Sequence, residues 1–297
     1  MTAATTANDD DNDSNSSKVA NNSVLLGTCG WSYQEWVGAF YPNNRVAKLP
    51  FYARVFQTVE VDSSFYRAPS KAMVKGWERA TPPSFTFSLK VPKTVTHDKR
   101  LAGAQREFLS FLEVIKPLED AGKLGCLLVQ LPPSFTYEEG RRSLESFLAD
   151  MPAHLHFAVE FRHESWDRQE SFDLLARYGV ANTITDSPLE FLSRPIVTAG
   201  THSYVRWHGR GRDVWFDYTY SEDELWPWVK RLDEISAKAK TTYAYFNNHY
   251  HSSAPINALQ LLEMGGMITG PQLALKEKID KRSARRESKK ARITDYV

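Results

Sequence analysis

Cysteine is scarce in these 297 residues: Cys29 and Cys126 stand alone and far apart. Two thiols without CxxC spacing suggest neither a zinc site nor the framework of a disulfide-stapled secreted domain. There is no HExxH spacing, and no metal site is expected. No apolar run approaches the roughly 18 residues of a membrane span, and the start lacks the apolar segment of a secretory signal. A cytoplasmic protein with no membrane partner is the expectation. The first βα loop lacks GxGxxG, which leaves a dinucleotide site little support, and no internal repeat is evident.

Net charge is also scarce, at +1 overall, but it is unevenly placed. The head, residues 1–23, carries Asp9, Asp10, Asp11 and Asp13 against Lys18. Residues 276–297 carry nine Lys and Arg against four Asp and Glu. The body between them is close to neutral and shows no field that would by itself attract nucleic acid. The head has almost nothing to bury and is expected to be disordered.

What the body does have is alternation. Strand candidates start at Val24, Thr58, Phe85, Leu124, His156, Val180, His202 and Thr241, and helical spacing follows most of them. One helix is expected over 101–118, and Ser70 is placed to cap another. Eight strands alternating with helices over about 240 residues favour a single (β/α)8 TIM-like barrel, an α/β fold. We draw it at 24–270, with the disordered head at 1–23 and a basic tail at 271–297. The tail reads as either a solvated helix or a disordered segment.

In such a barrel the chemistry sits at the C-terminal strand ends. The strand TVEVDSSFYRAP, residues 58–69, puts Glu60 and Asp62 on one side of the chain. Alternation likewise pairs Glu160 with Arg162, Arg206 with His208, and Asn247 with His249. Lys90, Arg162 and Arg206 converging on one mouth suit an anionic ligand. Glu60, Glu160, His208 and His249 are the acid/base candidates. Trp31, Ser64, Tyr66, Gln130, Trp166, Asn247 and Asn248 complete the substrate-binding set. Each has a plainer reading: Glu60 and Glu160 as buried partners of the arginines, His249 as a structural histidine, the tryptophans as packing, and Cys29 as a small core residue.

The stretches GTCGWSYQEWVGAFYP, FQTVEVDSSFYRAPS, FTFSLKVPKTVTH, LGCLLVQLPPSF, AVEFRHESW, YVRWHG and YAYFNNHYHSSAPINALQL resemble, in this order, the domain of unknown function 72 family, also called YecE-like. The resemblance covers about residues 26–262 and implies a TIM-like barrel. It implies no firmly established activity. Its motif positions here are Gly30, Trp31, Glu60, Ser64, Phe65, Tyr66, Lys90, Gln130, Glu160, Arg162, Trp166, Arg206, His208, Gly209, Asn247, Asn248, His249 and Asn257. An Asn often stands in the family where this chain has Asp62, which favours Glu60 and Glu160 as the working acids.

The expectation is therefore an enzyme using general acid/base chemistry on a small anionic, phosphorylated or sugar-like ligand. Hydrolase, isomerase and lyase chemistry stay open, and the cofactor is unassigned. The alternatives are a nucleic-acid-associated protein that uses stacking and the basic tail, and a non-catalytic ligand-binding barrel. Oligomeric state is not legible.

Overall fold

The computed structural model describes residues 23–294, so the acidic head up to Asn22 lies outside the described residues. Eight strands run β1 (Ser23–Thr28), β2 (Thr58–Val61), β3 (Thr86–Lys90), β4 (Leu124–Gln130), β5 (His156–Glu160), β6 (Ala181–Asp186), β7 (His202–Trp207) and β8 (Thr241–Phe246). All pair in parallel, in the order β1-β8-β7-β6-β5-β4-β3-β2. The helices are α1 (Lys48–Tyr52), α2 (Ser63–Tyr66), α3 (Lys71–Arg79), α4 (Gln105–Asp120), α5 (Tyr137–Ala149), α6 (Gln169–Arg177), α7 (Glu222–Ser236), α8 (Ser253–Met264) and α9 (Gly270–Thr294). This is the α/β TIM-like barrel the alternation implies. The strands are buried on both faces, as a parallel sheet covered by helices must be.

Local chemistry explains several boundaries. Ser70 caps α3 by accepting from the Met73 amide at 3.2 Å, and Ser221 and Glu224 form a reciprocal capping box at α7. The helix expected from residue 101 starts later, because Arg100 and Leu101 have φ of 48° and 67°. Left-handed backbone cannot enter a right-handed helix. The strand at Thr58 stops at Val61, and Ser63–Tyr66 turn helical instead of extending it.

The ring closes between β1 and β2 through one isolated bridge, Cys29 with Glu60. The Tyr52 hydroxyl does much of the joining. It accepts from the Thr28 amide at 2.9 Å and donates to the Thr58 carbonyl at 3.1 Å. Gly27 makes this approach possible, since a Cβ there would meet the Thr58 carbonyl oxygen at 2.3 Å. Tyr52→Phe leaves a buried N–H and a buried C=O unpaired, so it should lower the urea unfolding free energy by about 1–3 kcal/mol. A change within ~0.3 kcal/mol would show that the seam does not depend on that hydroxyl.

The basic segment begins as a packed element. Along α9, Gln272 donates to the Val55 carbonyl at 2.6 Å, Ile279 is buried, and Lys276 pairs with Glu263 and Asp280, each at 3.0 Å. No helix among the described residues is long and apolar enough to cross a membrane.

Candidate functional site at the barrel mouth

Inside the barrel the polar layers rise from the N-terminal end. There His202 stacks on His156 at 4.2 Å between ring centroids. His202 also donates from Nε2 to the Phe157 carbonyl at 2.8 Å, with Nδ1 2.9 Å from the Thr201 hydroxyl. Above them the Tyr245 hydroxyl joins Ser88 and Thr58. Tyr204 reaches upward and donates to Glu60 Oε2 at 2.6 Å.

The next layer centres on Arg206, whose side chain is 1% exposed. Its Nη2 donates to Glu60 Oε1 at 2.6 Å and its Nη1 to Glu160 Oε2 at 2.8 Å. Both carboxylates are fully buried. The Cys29 thiol donates to Glu60 Oε1 at 3.0 Å. Cys29, Glu60 and Asp62 gather donor atoms closely enough to suggest a metal cluster. Arg206 Nη2, however, lies 3.6 Å from Cys29 Sγ and 3.5 Å from Asp62 Oδ1, so the guanidinium already supplies the positive charge those three share. His249 and His251 do not converge on a metal either, since His251 turns outward to Asp217.

One layer higher, Glu160 Oε1 pairs with Arg162 Nη2 and lies 3.2 Å from His208 Nε2. His208 Nε2 is also 3.0 Å from Arg162 Nη2, and the Asn247 amide is 3.0 Å from Nδ1. Asn247 offers a donor and an acceptor, so it can match either imidazole tautomer. Asp62, with 26% of its side chain exposed, sits 3.5 Å from Lys90 Nζ. Lys90 Nζ also lies 4.3 Å above the Phe65 ring.

These groups floor a cavity of about 760 Å3 at the C-terminal mouth. Of the residues the sequence nominates, Trp31, Tyr66, Lys90, Gln130, Arg162, Arg206, His208, Asn247 and His249 line it. Glu60 and Glu160 lie beneath it, and Asp62 is the carboxylate of this cluster that reaches it. Three nominees fall elsewhere. Trp166 faces the helix layer, stacked on Phe161 and donating to the Phe135 carbonyl at 2.6 Å. The Ser64 hydroxyl ties the Val61 and Lys90 carbonyls together. Asn248 donates to the Tyr218 carbonyl and to Asn257, which fastens the loop after β8. Asp186 is likewise committed: Arg210, Tyr220 and Trp228 all donate to it.

Alternation did not point to Tyr33, Trp77, Trp215 and Phe216, which also line the cavity. Trp77 meets Trp31 edge-on at 5.7 Å, and Trp215 lies 5.5 Å from the Arg162 guanidinium. His249 is sandwiched between the Tyr33 and Phe216 rings at 4.4 and 5.0 Å. Phe216 and Trp215 come from the loop after β7, which opens on Gly209 at φ +84°. A Cβ at Gly209 would meet the Trp215 carbonyl oxygen at 2.3 Å, so the flap folds back on itself only with glycine there.

Burial and charge set the protonation states. Burial, with Arg162 adding to it, pushes His208 down to about 4, so the imidazole is neutral at pH 7. Burial works to raise Glu160, yet Arg162, Arg206 and His208 outweigh it and hold that carboxyl well below the usual range. Asp62 follows the same logic, with Lys90 and Arg206 prevailing over burial. For Glu60 burial prevails over Arg206, and its carboxyl is raised. Burial and the Glu60 charge push the Cys29 thiol far up, which removes its nucleophilic form.

The family model "Protein of unknown function DUF72" matches residues 25–279, nearly the whole described body. The chain belongs to the DUF72 family. Its match runs into α9 as far as the buried Ile279. Relatives of the chain include the UPF0759 protein YunF of Bacillus subtilis (strain 168), 26% identical over 272 residues, which span 81% of this chain and 94% of YunF. The UPF0759 protein YecE of Escherichia coli (strain K12) is 29% identical over 185 residues, 61% of this chain and 63% of YecE. Among solved structures, a DUF72 family protein of Thermotoga maritima MSB8 is 35% identical with a TM-score of 0.72, covering 81% of this chain and 98% of that one. A DUF72 family protein of Enterococcus faecalis V583, 24% identical with a TM-score of 0.72 over 83% of this chain and 97% of that one, shares the fold.

Proposed function

We propose that this DUF72 protein is an enzyme that binds a small anionic, ring-bearing molecule in the mouth cavity and acts on it by general acid/base chemistry. The observation that carries this reading is the vertical arrangement of charge. Lys90, Arg162 and Arg206 face the cavity, while Glu60 and Glu160 are buried beneath it. Asp62 and Asp213 also line the cavity, so the ligand meets three cations against two carboxylates. Lys90 has spare donors, because its nearest acceptor is Asp62 at 3.5 Å. Trp31, Trp77 and Trp215 offer flat faces to a sugar or other ring.

On this reading Asp62 takes the role first given to Glu60 and Glu160, and His208 keeps its own. Asp62 is ionised and reaches the cavity, so it is a base. His208 is neutral and lines the cavity, so it can accept a proton from the ligand, with Glu160 beside Nε2 to steady the imidazolium that forms. Glu60 and Glu160 are positioning residues that hold Arg206 and Arg162. Gln130 and Asn247 orient hydroxyls. His249, clamped between rings, holds the flap against the β1 loop. The nucleic-acid alternative draws on the basic segment, but the first turns of α9 are committed to packing. Its side chains from Arg285 onward lie outside the described residues.

The test is native mass spectrometry of the purified protein with analysis of what denaturation releases, together with calorimetry using inorganic phosphate. A released organic phosphate or acid is expected, and Lys90→Met should weaken phosphate binding about 10- to 100-fold, the worth of one charge-assisted hydrogen bond. If phosphate does not bind and Lys90→Met retains the same released compound, the reading is wrong.

A further inference from the structure

A second hollow of about 570 Å3 lies beside the mouth, between α2 and the start of α4, and nothing in the reading above uses it. It is lined by Phe65, Tyr66, Arg67, Pro92, Arg106 and Phe111, among others. Tyr66 lines both this hollow and the mouth cavity. Phe65 completes the partition: Lys90 sits over its ring from the cavity side, and Phe65 itself faces the hollow. The dividing wall is thus two aromatic rings meeting edge-on at 5.0 Å.

That wall is unusually open for a residue with so much apolar surface. Tyr66 is 76% exposed, and its hydroxyl makes no hydrogen bond among the described residues. Its ring therefore presents an open face where the two hollows meet. The charges in the hollow are also unbalanced. Glu107 is paired with Lys99 at 2.8 Å and lies 3.4 Å from Arg106, whose side chain is 91% exposed. Arg67 has no ion-pair partner among the described residues. The hollow therefore offers an aromatic shelf leading to two guanidinium groups.

We propose that this hollow is a second subsite of the same binding site. It takes a flat extension of the ligand that crosses Tyr66 and ends in a second negative charge, between Arg67 and Arg106. The ligand class is then a doubly anionic conjugate: a phosphate or carboxylate head in the mouth, a ring across the wall, and an acidic group at the far end. This rests on the anion reading of the mouth cavity.

The experiment compares inorganic phosphate, phenyl phosphate and 4-carboxyphenyl phosphate by calorimetry on the full chain. Burying one ring face should make phenyl phosphate bind about tenfold tighter than inorganic phosphate. The distal carboxylate should add roughly a further three- to tenfold. Arg67→Ser with Arg106→Ser should remove the carboxylate increment and leave phenyl phosphate as before. Tyr66→Ala should collapse the ratio between phenyl phosphate and inorganic phosphate towards one. If inorganic phosphate binds but phenyl phosphate gains nothing over it, the subsite is overturned and the mouth reading stands. A carboxylate increment that survives loss of both arginines also overturns it. If none of the three probes binds, both readings fall together.

Discussion

Replacing Arg206 with Met should destabilise the protein by about 3–5 kcal/mol, the cost of leaving buried charge without its partner. Arg206 is held between Glu60 and Glu160, and both carboxylates are fully buried. Methionine fills much of the space and supplies none of the charge. In the variant the Glu60 carboxyl, already raised, would rise further, while Glu160 keeps Arg162. The native state would then bind protons that the unfolded state has released, so the deficit against the parent should shrink as pH falls towards 5. Adding Glu60→Gln to Arg206→Met should recover much of the loss, since Glu160 keeps its Arg162 partner. Urea unfolding at pH 7.5 and pH 5.5 measures both effects. A loss below ~1 kcal/mol at pH 7.5 would mean the cluster is not held together by that guanidinium.

The second large effect is acid lability that begins above the carboxylate range. His208 and His202 are both buried, and burial pushes each to about 4 from its ordinary 6.5. Between those values the unfolded chain binds protons that the native state refuses, so stability must fall as pH falls from 6.5 towards 4. Each group contributes a slope of up to ~1.4 kcal/mol per pH unit, and the pair roughly twice that. Glu60, raised by burial, opposes this in part, because protonating it favours the native state. Glu160 and Asp62, whose carboxyls are lowered, add to the loss only once pH drops below their ordinary range. His202→Asn sits at the far end of the barrel from the cavity and should remove about half of the slope between pH 6.5 and 5. A flat urea midpoint over that interval would contradict the neutral, buried state of both histidines.

The alternation that reveals the barrel also orders its interior, with a limit that is itself physical. Period two says which residues face the axis and nothing about height. Glu60 and Asp62 share a side of the chain, yet one is sealed beneath Arg206 and the other reaches the cavity. Two residues advance a strand by about 6–7 Å, a full layer of the barrel. Glu160 to Arg162 and Arg206 to His208 repeat the step. In each of these pairs the second residue, just past the strand's end, stands a layer nearer the mouth than the first. Trp166 was misplaced for a related reason: it follows β5 on a short turn that swings it to the helix side, against Phe161. Trp77, Trp215 and Phe216 carry no periodic mark, because their positions depend on how α3 and the flap lean over the sheet. Membership of the family was legible because its motifs are the strand ends themselves.

The Tyr52 seam has a mechanical consequence. Seven of the eight strand boundaries are laced by backbone bonds whose spacing polypeptide geometry dictates, and the eighth is spanned by a side chain and one bridge. A ring made this way has its thinnest backbone lacing at the clasp. The clasp lies directly under Cys29 and Glu60, which ties the width of the cavity floor to the length of a phenol. Any opening at that boundary would tilt Glu60, and with it Arg206, relative to everything above.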